Sequence, residues 1–264
     1  MREFSVLSNI VYIIAIVWGS YYAYKHHYLS KSGGIAAIFV GIAITIGFGG
    51  SGLFLLFAFF ISSSLLSKYK KHSKRIMEEK TSKGNSRDYL QVIANGGLAS
   101  ISAILFFFTS ETIWILIFST FLAAANSDTW ASEIGSLSKR KPFSLKTFKV
   151  TTTGTSGAIS LLGTFASIIG SLFIAALTYI IFPISFVEFS MIALLGFMGS
   201  CIDTILGAYI QVEYMCKQCK KVYEIPKICH DKTVRIKGYT LFNNDVVNLL
   251  SGLLAGLLGF ILFH

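Results

Sequence analysis

Eight apolar runs, each near the length that crosses a bilayer, constrain this chain more than any other feature. A hydrocarbon core of about 30 Å takes roughly 20 helical residues, fewer where neighbours bury the segment. The runs lie at about 5–24, 33–49, 51–67, 89–108, 112–127, 156–182, 189–209 and 240–263. Only Gly49-Gly50-Ser51-Gly52 separates the second from the third, which predicts a tight helical hairpin or a re-entrant pair. With 53% hydrophobic residues, 14% charged and a mean hydropathy of +0.65, a soluble domain of 264 residues is excluded. The first run is followed by Lys25, His26 and His27 without a small-residue cleavage pattern, so it reads as a retained span rather than a signal peptide. The expected fold is an all-α polytopic transmembrane helix bundle of about eight spans, a single integral-membrane domain over 1–264 with a cytosolic Cys-rich loop at about 212–239.

Charge orients such a bundle, because loops rich in Lys and Arg stay cytoplasmic. Of the 23 Lys and Arg residues, all but Arg2 fall in the loops after runs 1, 3, 5 and 7. The connections Gly49 to Gly52, Thr109 to Glu111 and Pro183 to Glu188 carry none. Both termini are therefore expected to be non-cytoplasmic. The net charge of +10, distributed in this way, indicates topology and attraction to anionic lipid headgroups rather than nucleic acid. The expected location is multi-pass, in a prokaryotic-type plasma membrane.

Polar residues gather at the cytoplasmic ends of runs 4 to 8. Asn126 to Gly135 reads N-S-D-T-W-A-S-E-I-G and places Asp128 and Glu133 at the end of an apolar run. A carboxylate at membrane depth costs roughly 2.5–3.5 kcal/mol, so it is kept where it meets a cavity, a cation or a donor; at the wet end of a helix the cost is small. Gln91 and Asn95 lie one turn apart on run 4, Asp203 and Gln211 sit toward the inner end of run 7, and run 8 opens with Asn243, Asn244, Asp245 and Asn248. Asn95 and Asn248 suit interhelical hydrogen bonds as well as a ligand, and Gly199 and Gly207 suit close packing. Thr151 to Gly157 offers backbone N–H groups to a phosphate, or serves simply as a helix lead-in; it lacks the P-loop spacing. Lys139, Arg140, Lys141, Lys146 and Lys149 precede it and would add charge for a polyphosphate.

The acidic residues argue for a divalent cation. Asp128, Glu133, Asp203 and Asp245 would repel one another in a low-dielectric pocket, and Mg²⁺ binds through one or two carboxylates together with substrate phosphates. Asp128 and Asp203 are the preferred ligands. Asp128 and Glu133 lie about 140° apart around a helix, so both reach one pocket only if the helix ends or bends nearby. In the Cys-rich loop, Cys216-x2-Cys219 followed by Cys229-His230 can close a structural zinc site; unligated thiols are the alternative, and a disulfide is disfavoured on the cytosolic side.

The strings Q-V-I-A-N-G-G at Gln91, N-S-D-T-W-A-S-E-I-G at Asn126, T-G-T-S-G at Thr153, G-S-C-I-D-T-I-L-G-A at Gly199 and N-N-D-V-V-N at Asn243 resemble one integral-membrane family. It includes the phytyl-phosphate kinase of tocopherol synthesis and transmembrane protein 19, and is known as domain of unknown function 92. Asp128, Ala131, Gly135, Thr153 to Gly157 and Asp203 also stand in an order similar to that of CTP-dependent membrane kinases and cytidylyltransferases, whose fuller Lys-Arg-x4-Lys-Asp signature is absent here. The resemblance implies a cytosol-facing transferase in which CTP or another NTP phosphorylates an isoprenoid alcohol or monophosphate. Asp128, Asp203 and Glu133 would be catalytic. Asn126, Lys146, Thr153, Gly154, Thr155, Ser156, Gly157, Gln91, Asn95, Asn244, Asp245 and Asn248 would bind the nucleotide and headgroup. A cytidylyltransferase would use the same site and release pyrophosphate. A transporter of a phosphorylated or anionic solute would place its polar residues near the midplane and show repeat symmetry, and neither feature is visible.

Overall fold

The computed structural model describes residues 6–70, 86–220, 222–226 and 233–263. Within them seven helices form the bundle: α1 Val6–Lys25, α2 Lys31–Lys68, α3 Tyr89–Thr109, α4 Ile113–Gly135, α5 Leu161–Ile181, α6 Phe186–Tyr209 and α7 Asn244–Phe263. The chain is an integral membrane protein built on a helical bundle, as its apolar runs require.

The 38 residues of α2 would measure about 57 Å if straight, nearly twice the hydrocarbon thickness. Instead the helix breaks at Gly49, whose φ of 60° and ψ of −145° only glycine adopts readily. Its two ends return to one side. Ser30 N donates to Arg87 O at 3.0 Å, and Lys68 Nζ donates to His26 O at 2.8 Å beside the end of α1. The second and third apolar runs are thus the arms of one hairpin.

Helix α4 is the axis of the bundle, touching α2, α3, α5, α6 and α7. Twelve of its residues, between Ile115 and Ser127, are buried. Phe118 and Leu122 are fully enclosed, and Phe48 of the hairpin stacks 4.6 Å from Phe118. The other six helices are long and apolar enough to cross a membrane; α4 falls short of that composition because its last turns are polar. Small residues let neighbours come this close: Ser127 Oγ lies 2.7 Å from Ser167 Oγ of α5.

Two small sheets sit beyond the helix ends and had no counterpart in the all-α expectation. β1 (Phe143–Ser144) pairs antiparallel with β2 (Ala158–Ile159). The Cys-rich stretch forms an antiparallel sheet in which β3 (Glu213–Cys216) lies between β4 (Val222–Tyr223) and β5 (Thr233–Lys237). Lys237 in β5 and Glu213 in β3 form an ion pair of 3.0 Å, with side chains 7% and 11% exposed.

Candidate functional site

Asp128 and Asp203 are brought together by the packing of α4 on α6. Ser200 Oγ, one turn before Asp203, donates to Asp128 Oδ1 at 3.5 Å. Asp203 Oδ2 accepts from Ser251 Oγ of α7 at 3.1 Å, and from the Asn248 amide nitrogen at 2.9 Å with that amide turned to face its acceptors. The two carboxylates are close enough to repel each other. Beneath them lies a void of about 20 Å³, also bordered by Asn95 and Asn248, which is room for one water-sized species.

Above this floor opens a cleft of about 1100 Å³. Its lining includes Asp128, Glu133, Asp203, Gln91, Asn95, Asn244, Asp245, Asn248 and all of Thr153 to Gly157. Residues from four helices, α3, α4, α6 and α7, and from a turn therefore converge on one space, as their shared depth in the sequence suggested. Glu133 reaches it close to the end of α4, which stops two residues later at Gly135. The cleft is wide enough to take both residues: Asp128 faces α6, whereas Glu133 Oε1 accepts from Ser67 Oγ of the hairpin at 2.6 Å.

The Thr/Gly turn differs from its expected form. It does not enter a helix directly; β2 and Ser160 intervene, and Ser160 Oγ caps α5 by accepting from Gly163 N at 3.1 Å. Thr155 N donates to Thr152 O at 3.3 Å and Ala158 N to Thr155 O at 3.1 Å, while Gly154 and Gly157 have φ of 76° and 75°. Among the described residues the backbone N–H groups of Gly154 and Ser156 have no acceptor within the protein. Gly157 is seated on the end of α6, where a Cβ would overlap Ala208. Lys237 Nζ fastens this seat, donating to Gly207 O at 2.9 Å and Ser156 O at 3.4 Å. Burial pulls the Lys237 pKa down, and the Glu213 carboxylate opposes that shift.

Two assignments change. Asn126 lies behind the cleft wall: fully buried, its amide donates to Gly170 O at 2.7 Å and accepts from Ser62 and Ser63 at 3.2 and 3.3 Å, tying α2, α4 and α5 together. Lys146 and its neighbours Lys139, Arg140, Lys141 and Lys149 are exposed and outside the lining. The cations that do line it are Lys68 and Arg87, which the sequence placed among topological charges. Burial lowers the Arg87 pKa, with Glu133 opposing, but a guanidinium stays charged in either case. Of the four zinc candidates, Cys229 and His230 lie outside the described residues. Cys216 is buried in β3, and Cys219 Sγ lies 3.8 Å from Tyr223 Oη. Among the described residues, no three His, Cys, Asp or Glu side chains cluster as a metal site.

Sequence reasoning also missed Glu224, which lines the cleft and accepts from Gln211 Nε2 at 3.1 Å, and the serines that hold the aspartates. Ser200 was visible as a small hydroxyl one turn before Asp203. Among the described residues the cleft is lined by five carboxylates, Asp128, Glu133, Asp203, Glu224 and Asp245, and by the permanent cations Lys68 and Arg87. Asp128 and Asp203 offer oxygen donors of the kind that Mg²⁺ takes together with phosphate and water.

The profile of the integral membrane protein family DUF92 matches residues 14–256. Protein PGR of Arabidopsis thaliana is 32% identical over 93% of this chain and 94% of its own length. An uncharacterised membrane protein of Methanocaldococcus jannaschii is 31% identical over 90% of this chain and 87% of its own. Protein VTE6, chloroplastic, of Arabidopsis thaliana is 26% identical over 84% of this chain and 62% of its own. No solved structure matches the chain.

Proposed function

The chain belongs to the DUF92 family of integral membrane proteins, and from that premise we propose that it is a Mg²⁺-dependent phosphotransferase. It moves a phosphoryl group from CTP or another nucleoside triphosphate to an isoprenoid monophosphate or alcohol, at the cytosolic face of a prokaryotic-type plasma membrane. The observation that carries this reading is the meeting of Asp128 and Asp203 from adjacent helices on the floor of a cleft walled by the Thr153 to Gly157 turn. The sequence motifs, which resemble those of a family with a phytyl-phosphate kinase, supply the substrate class.

In such a transfer an acceptor oxygen attacks the γ-phosphorus, the bond from that phosphorus to the bridging oxygen breaks, and a nucleoside diphosphate leaves. The transition state is loose and its charge spreads over the equatorial oxygens, so positioning and neutralisation provide most of the catalysis. Bound Mg²⁺ would supply charge neutralisation at the phosphate oxygens, held by Asp128 and Asp203. The turn N–H groups bind phosphate, Lys68 and Arg87 bind anionic oxygens on the far side, and Ser200, Ser251 and Asn248 hold the carboxylates in place. A monophosphate acceptor is already ionised and needs no base. An alcohol acceptor must give up its proton, and Glu133 and Asp245 line the same cleft.

Incubation of the purified protein with labelled nucleoside triphosphates and a panel of prenyl alcohols and phosphates, followed by lipid extraction, tests the reading. Label from the γ-position is expected in the lipid. Release of pyrophosphate with transfer of the nucleotide would identify a cytidylyltransferase instead, and no transfer to any lipid would remove the enzyme reading.

The same orientation predicts which loops face outward. Single cysteines at 109–111 or 183–188 should react with an impermeant thiol reagent on intact cells, and cysteines at 68–70 or 233–237 should be protected. Labelling of 68–70 from outside would invert the bundle and put the cleft on the wrong face for cytosolic nucleotide.

A further inference from the structure

The polar cleft has an apolar annexe. Between α1, the α2 hairpin and the start of α3 lies a cavity of about 80 Å³ whose walls include Ile16, Gly19, Ala23, Val40, Phe57 and Phe60. It meets the cleft at Arg87, Gln91 and Asn95, which border both spaces. Phosphoryl transfer by itself has no use for an apolar cavity at this place.

Arg87 is fixed at the junction by its backbone. Its N–H donates to Tyr28 O at 3.0 Å and its carbonyl accepts from Ser30 N at 3.0 Å, so the loop before α3 is strapped to the loop after α1. Its guanidinium stands over the Phe60 ring, with Cζ 5.8 Å from the centroid. Lys68, lying over Tyr28 at 3.6 Å, borders the same mouth of the cleft. Arg87 at the junction of the apolar cavity and the cleft, with Lys68 on the cleft side, matches an amphiphile with an anionic head and an apolar chain.

The dimensions narrow the occupant further. On α1 the walls run from Ile16 to Ala23, about 10 Å along the axis. A cavity of about 80 Å³ has no room for two chains side by side. Helix α1 packs chiefly on α2, and its other face carries exposed apolar side chains such as Trp18 and Val17 that suit the bilayer.

We propose that this cavity seats the acceptor lipid, a single-chain phosphomonoester whose phosphate lies at Arg87 and Lys68 and whose first carbons lie between α1 and the α2 hairpin. The assignment rests on the phosphotransferase reading for the fate of that phosphate, and its test does not require turnover. Farnesyl monophosphate carrying a diazirine on its tail is irradiated with the purified full-length protein, and the labelled peptides are mapped. Cross-links are expected on α1 or the α2 hairpin, competed by farnesyl monophosphate and not by dioleoyl phosphatidic acid, whose paired chains exceed the bore. Gly19→Leu, placed where a Cβ meets only Phe57 at 3.5 Å, should cut labelling at least about tenfold by filling the cavity while leaving the melting temperature close to wild type. Should Gly19→Leu misfold, Ala37→Leu on the α2 wall provides the same test. Arg87→Gln should weaken labelling by a similar factor. Cross-links confined to α5, α6 or α7, equal competition by phosphatidic acid, or undiminished labelling of a well-folded cavity-filled variant would each overturn the assignment. If the enzyme reading alone were wrong, the cross-links would persist while the labelled-nucleotide assay stayed blank.

Discussion

Asp128→Asn and Asp203→Asn are each expected to lower turnover at least about a hundredfold, the scale for losing a charge contact made in the transition state, while the protein stays inserted and folded. The two should fail in different ways. Asp203 is held by Ser251 and Asn248 of α7, so its asparagine variant also disturbs the contact of α6 with α7. Asp128 has one long contact from Ser200, so its variant should leave packing and melting temperature close to wild type. Glu133→Gln, on the opposite wall beside Ser67, should cost less. The measurement is turnover with the identified lipid at saturating nucleotide, repeated across a Mg²⁺ series. Normal turnover in both aspartate variants would remove the proposed centre even with family and fold unchanged.

Lys237→Met should have the largest effect on stability of any single change outside the membrane. It leaves Glu213 buried beside an apolar side chain, and breaking one partner from a buried pair costs about 3–5 kcal/mol. It also removes the donor that ties Gly207 to Ser156, so the Thr153 to Gly157 turn loses its fastening to α6. The double variant Lys237→Met with Glu213→Leu should recover most of the melting temperature, because the stranded charge is gone. It should not recover nucleotide affinity, because the fastening is still absent. Equal recovery of both would show that the ion pair serves the sheet alone.

The residues that were legible in the sequence are those whose signal is an expensive group in an apolar setting. Asp128, Asp203, Gln91, Asn95 and Asn248 each stand out against helix interiors, and the depth they share becomes the floor and wall of one cleft. The Gly49 break was legible too, because no single span needs 38 residues. Asn126 was misplaced although helical geometry held the answer: two residues before Asp128 it points about 160° away, toward α5 and the hairpin rather than the cleft. Ser160, a hydroxyl just before the apolar run that begins at Leu161, was readable as the true cap of α5. Arg87 was hidden by company, one basic residue among eight in a stretch whose charge reads as topology. The three-stranded sheet was hidden by brevity, its strands being four, two and five residues long and meeting across a stretch that local pattern does not bridge.

Helix α4 carries a consequence for how the protein is made. Its first turns are wholly apolar, whereas its last turns carry Asn126, Asp128 and Glu133, which are costly at membrane depth unless sheltered. Of the groups that shelter those turns, Ser62, Ser63 and Ser67 are synthesised before it, whereas Ser167 and Gly170 of α5 and Ser200 of α6 come after. At the moment α4 leaves the ribosome, half of its polar partners do not yet exist. The turns that carry Asp128 are therefore fully sheltered only once α5 and α6 have joined the bundle.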